Sequence, residues 1–81
     1  MIEMQKLELY ISPNCYYCRK VLNYMEQNNI KIPLKNVFDI ANRDQLIKIG
    51  GDSQVPCLLI DGEAMYESDD IVDWLKNNFK S

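Results

Sequence analysis

The chain contains no histidine and only three cysteines, three glycines and three prolines among its 81 residues. Zinc usually takes four Cys or His ligands, so a complete intramolecular zinc site would need a carboxylate or a partner chain. No apolar run approaches the length of a membrane span. The opening stretch, Met1 to Lys6, is too polar and too short to read as a secretory leader. Lysine and arginine are dispersed and the formal net charge is −3, so no basic patch points to a nucleic acid. Repeats, linkers and low-complexity segments are also lacking. Three cysteines without a leader suit a reducing compartment, and a cytoplasmic location is expected.

What is present suits a small globular protein. Apolar residues make up 47% of the chain and charged residues 26%, which argues for a packed core over disorder. The length allows one domain over 1–81, expected to act as a monomer. A chain of this size hides roughly 60% of its unfolded surface, so modest stability is expected.

Hydropathy patterning gives the order β-α-β-α-β-β-α. Leu7 to Ile11 reads as a strand. Cys18, Val21, Leu22 and Met25 fall at i, i+3, i+4 and i+7, one face of a helix that ends near Asn28-Asn29. Leu34 to Phe38 alternates apolar and polar residues as a second strand. Asn42 to Gln45 resembles a capping box for a helix carrying Leu46, Ile47 and Ile49 and stopped by Gly50-Gly51. Cys57 to Ile60 and Glu63 to Tyr66 flank Asp61-Gly62, a two-residue hairpin signal. Ser68 is expected to cap the last helix, with Asp69 and Asp70 in its first turn and an apolar face of Ile71, Val72, Trp74, Leu75 and Phe79. A four-stranded mixed sheet flanked by three helices, an α/β fold with the first strand central, accounts for these stripes. The first crossover is expected to be right-handed.

The chemistry concentrates in Cys15-Tyr16-Tyr17-Cys18, at the junction of the first strand and first helix. A helix N-terminus offers unpaired N–H groups and the positive end of the macrodipole to the first sulfur, which favours a thiolate. The second sulfur lies about one turn on and can close a disulfide. That is equipment for thiol–disulfide exchange. Half of a shared zinc site and an incidental pair are the competing readings. Cys57 is left over; as a free cysteine it reads as a buried core residue, with an auxiliary redox thiol as the sharper alternative.

Three separated motifs resemble the glutaredoxins, the smallest form of the thioredoxin-like fold. Cys15-Tyr16-Tyr17-Cys18 is similar to their Cys-Pro-Tyr-Cys, with Tyr16 in the place of proline. Gln54-Val55-Pro56 is similar to the Thr-Val-Pro that carries a cis-proline opposite the cysteines. Tyr66-Glu67-Ser68-Asp69-Asp70 stands where those proteins have Gly-Gly-x-x-Asp. Gln-Val-Pro followed after a hairpin by Glu-Ser also resembles the N-terminal domain of glutathione transferases, without their helical C-terminal domain.

This resemblance implies Cys15 as nucleophile and Cys18 as resolving thiol. It implies a glutathione site of Tyr17, Gln54, Val55, Pro56, Glu67, Ser68 and Asp69. Backbone groups of Val55 would pair with glutathione as a short antiparallel strand. Glu67 and Ser68 would take the ammonium and carboxylate of the γ-glutamyl group. Glutathione is the implied cosubstrate, with no bound metal or organic cofactor. Glutathionylated or disulfide-containing proteins are the implied partners. Two departures stand out: Ser12 occupies a position often basic in the family, and Tyr66-Glu67 replaces the double glycine. Arg19 and Lys20 are candidates to supply the missing charge. Two rival readings share the fold, a thioredoxin-like reductant of ribonucleotide reductase and a carrier of a glutathione-ligated iron–sulfur cluster.

Overall fold

Alternation along Leu7-Glu8-Leu9-Tyr10-Ile11 sends Leu9 to one face of a sheet and Tyr10 to the other, and both are buried. The computed structural model describes residues 6–79; residues 1–5, 80 and 81 lie outside them. Strand β1 (Leu7–Ile11) is followed by α1 (Tyr16–Gln27), β2 (Leu34–Asn36), α2 (Ile40–Gly50), β3 (Cys57–Ile60), β4 (Glu63–Met65) and α3 (Ser68–Asn78). The sheet order is β2-β1-β3-β4, with β1 parallel to β2 and antiparallel to β3. The first strand is therefore interior, as its two-sided burial demands.

Each face carries its own apolar cluster. On one side Leu9 and Leu58 meet Val21 and Met25 of α1 and Ile71 and Leu75 of α3. On the other, Tyr10, Cys57 and Leu59 meet Leu46 of α2. The expected face of α1 is buried at Cys18, Val21 and Met25. The face of α3 is buried at Ile71 and Leu75, with Val72, Trp74 and Phe79 packed alongside. Asp61 (φ 50°) and Gly62 (φ 90°) both take positive φ, as a tight turn between β3 and β4 requires.

Several local expectations are corrected. Strand β2 stops at Asn36 instead of Phe38. The Asn36 side chain accepts the Phe38 N–H at 2.8 Å and turns the chain. On this edge strand Leu34 is exposed while Lys35 is half-buried and pairs with Glu8 at 3.6 Å. Helix α2 starts at Ile40, ahead of the Asn42 box, because the Asp39 carboxylate accepts the Ala41 N–H at 3.0 Å and caps it. Of its apolar residues only Leu46 is buried; Ile47 and Ile49 are exposed. Helix α1 begins with Tyr16, directly after Cys15. Helix α3 has Glu67, not Ser68, at its N-cap, and no side chain caps it. Tyr66 lies past β4 in the connection to α3.

Among the described residues no helix is long and apolar enough to cross a membrane.

Candidate functional site

Cys15 is the N-cap of α1, in extended conformation, and its Sγ accepts the Cys18 N–H at 3.0 Å. The same thiol faces the Val55 carbonyl at 3.7 Å, across the sheet's end from the Val55–Pro56 bond, which is cis. No disulfide is present, and the three thiols differ sharply in access: Cys15 is half-buried, Cys18 and Cys57 are buried. Burial, reinforced by a hydrogen bond with the Cys15 side chain, pushes the Cys18 thiol up to about 12, against a backbone hydrogen bond with Ser12 that pulls it down. Burial likewise pushes Cys57 up to about 11. Both hold their protons near neutral pH, and Cys15 is the accessible one.

Three segments meet beside Cys15 to form a cavity of about 390 Å³. Tyr17 comes from the first turn of α1, Gln54, Val55 and Pro56 from the connection before β3, Tyr66 and Glu67 from the connection before α3, and Ser68 and Asp69 from its first turn. The fold thus gathers every residue singled out for glutathione into one cavity. Cys15 and Cys18 themselves line an adjoining cleft of about 260 Å³ with Arg19, Ser12 and Pro13. Tyr66 joins the cavity although it is not among the residues the resemblance implies. Its place inside the Tyr66-to-Asp70 motif was the available signal, and its contact with α2 was not.

The charge in the cavity belongs to carboxylates at a helix N-terminus. Glu67 makes no side-chain cap hydrogen bond, and its exposed carboxylate has no ion pair among the described residues. Ser68, in the first turn, is buried with 8% of its surface exposed. Asp69 pairs with Lys20 of α1 across the two helices, with both side chains well exposed. An exposed pair of this kind contributes little stability. Of the two cations Arg19 lines the cleft with Cys15, whereas Lys20 faces Asp69.

Fold and site together define a thioredoxin-like domain with a dithiol at the start of its first helix. A model of the glutathione S-transferase N-terminal domain matches residues 9–81, and the chain belongs to that family. A glutaredoxin-like 8.6 kDa protein encoded in the rubredoxin operon of Clostridium pasteurianum is 32% identical over 57 residues, 69% of this chain and 76% of that one. Among solved structures, the thioredoxin-like protein BC3987, crystallised as a point mutant, superposes with a TM-score of 0.79 at 28% identity, over 95% of this chain and all of its own. Glutathione transferase Omega 3C from Trametes versicolor gives 0.80 at 26% identity over 95% of this chain. The chain spans only 35% of that transferase. Oxidised glutaredoxin 2 from Chlamydomonas reinhardtii gives 0.66 at 26% identity, over 93% of this chain and 75% of its own.

Proposed function

We propose that this protein is a glutathione-dependent thiol–disulfide oxidoreductase, a dithiol glutaredoxin that reduces glutathionylated proteins and protein disulfides. The observation that carries the reading is the accessible Cys15 Sγ at the α1 N-terminus, hydrogen-bonded by the Cys18 N–H and 3.7 Å from the carbonyl of Val55, which lines one cavity with Glu67 and Ser68. A thiolate on Cys15 attacks the glutathionyl sulfur of a mixed disulfide. The S–S bond breaks, the other half leaves as a thiolate that takes a proton from water, and Cys15 becomes glutathionylated. A second glutathione thiolate attacks that same glutathionyl sulfur, forming oxidised glutathione and restoring the Cys15 thiolate. On a protein disulfide, Cys18 gives up its proton and attacks Cys15 in the mixed disulfide, closing the internal bond and releasing the reduced protein.

The cavity suits the cosubstrate by its chemistry. Backbone groups of Val55 can pair with the cysteinyl residue as an added strand. The Ser68 hydroxyl and the free N–H groups of α3 can take the α-carboxylate of the γ-glutamyl group, and Glu67 its ammonium. A coupled assay with glutathione, glutathione reductase and hydroxyethyl disulfide tests the reading. Saturable glutathione-dependent turnover that vanishes in Cys15→Ser is expected. Turnover only with a flavoprotein reductase, and none with glutathione, would transfer the activity to a thioredoxin-like reductant.

A further inference from the structure

Tyr66 sits in the cavity wall next to Glu67, yet what holds it lies outside the cavity. Its hydroxyl donates to the Asp52 carbonyl at 3.1 Å, just past the end of α2. Its ring packs on the cluster of Tyr10, Leu46, Cys57 and Leu59. The last residue of α2, Gly50, faces that hydroxyl so closely that a Cβ placed there would lie 2.0 Å from Oη and 3.0 Å from Cζ, with Ala64 Cβ at 3.1 Å. The neighbouring glycine has a separate reason to be there. Gly51 has open space around it but a φ of +83°, in the left-handed cap of α2. Gly50 is therefore needed for space.

We infer that Tyr66 is a specificity-determining wall of the cavity and that Gly50 is its positioning residue, the absent Cβ giving the tyrosine hydroxyl its seat beside the Asp52 carbonyl. This rests on the reading of the cavity as a glutathione site. Any side chain at Gly50 drives Tyr66 off that seat. Two anchors leave the ring little room on the α2 side, and the peptide that follows it carries Glu67. Displacement is then felt at the γ-glutamyl end of the thiol and not at Cys15, which belongs to α1. The wall selects for a thiol whose aminoacyl arm matches its fixed distance from the sulfur, so glutathione should lose its advantage over thiols that lack the arm.

The test uses Gly50→Ala, Tyr66→Phe and the double variant, with kinetics for glutathione and for 2-mercaptoethanol, the alkylation rate of Cys15, and urea unfolding of each. Gly50→Ala should raise the KM for glutathione about fivefold or more, with Cys15 alkylation and 2-mercaptoethanol turnover unchanged. In the Tyr66→Phe background the same substitution should raise KM by no more than about twofold, because the clashing oxygen is gone. Equal losses in both backgrounds, or an unchanged KM in folded Gly50→Ala, would overturn the inference. Tyr66→Leu, with Gly50 intact, covers the case in which Gly50→Ala fails to fold: its glutathione KM must also rise, and an unchanged value overturns the proposal. A wild-type protein that uses glutathione no better than 2-mercaptoethanol would instead reject the glutathione site itself, a result distinct from either.

Discussion

Three thiols in one small chain are given three fates by their surroundings. Cys15 caps a helix and is accessible; Cys18 is buried beneath it; Cys57 is buried on the opposite face of the sheet. Iodoacetamide at pH 7 should therefore label Cys15 alone in the native protein, with Cys18 and Cys57 reacting only after unfolding. Mass spectrometry of the digested adduct reads this directly, and native labelling of Cys18 ahead of Cys15 would reverse the assigned roles. A linked prediction concerns alkali. Both buried thiols hold their protons above the unfolded value of about 8.5, so the folded state binds more protons than the unfolded one over that interval. Stability is full below about pH 8.5 and falls as pH rises toward the folded values, by up to about 1.4 kcal/mol per pH unit for each thiol. Urea midpoints between pH 8 and 10.5 should decline, and Cys57→Ala should make the decline shallower. The same slope in that variant would contradict the assignment. At this scale the placement of Cys15 at the start of a helix, with Cys18 one turn on, is legible from spacing and position alone. Tyr66 and Lys20 were not, because their roles come from Gly50, Asp52 and Asp69, distant in sequence.

At the scale of elements, local hydrogen bonds decided where helices begin, and sequence patterns pointed past them. The cap expected at Asn42 gives way to Asp39, because the Asn36 side chain turns the chain and the Asp39 carboxylate caps α2. Asp39→Ala should cost about 1 kcal/mol, the usual value of a lost cap, measured by urea unfolding. Ser68 behaves in the opposite way. It was expected to cap α3 and instead occupies the first turn behind Glu67. Ser68→Ala should cost less than the about 1 kcal/mol of a lost cap, since no cap bond is lost. Glu67→Ala with Ser68→Ala should nevertheless raise the glutathione KM about tenfold or more, as hydrogen bonds to charged groups contribute about 1.5–3 kcal/mol each. Loss of stability with an unchanged KM would return both residues to a purely structural role. The inner strands are legible because both are interior: β3 is apolar throughout and only Glu8 interrupts β1. The edge strand β2 was overextended because Val37 and Phe38 continue its pattern after pairing ends, although the Val37 N–H still bonds the Ile11 carbonyl at 2.9 Å.

For the molecule as a whole, the two faces of the sheet are unequally covered. One carries α1 and α3 over a cluster that includes Leu9, Val21, Leu58, Ile71 and Leu75; the other carries α2, which buries Leu46 alone among its residues. The periodicity of α2 suggested a broader apolar face, and only the sheet's own contribution of Tyr10, Cys57 and Leu59 shows how narrow its seat is. Elements with few buried contacts open locally at a free energy below that of global unfolding. Native-state hydrogen exchange should therefore find the amides of α2 exchanging by local opening, while β1, β3 and α1 exchange only with the whole fold. A chain of this length has a global stability of about 4–12 kcal/mol, and Leu46→Ala removes a fully buried side chain at a typical cost of about 2–5 kcal/mol. That substitution should strip protection from α2 first and change β1 by less. Because α2 ends on Gly50 and leads to Asp52, its opening also releases the two contacts that fix Tyr66 in the cavity wall. Leu46→Ala should then raise the glutathione KM even at temperatures where the sheet stays protected. Uniform loss of protection across α2 and β1 would show instead that the domain opens as one unit.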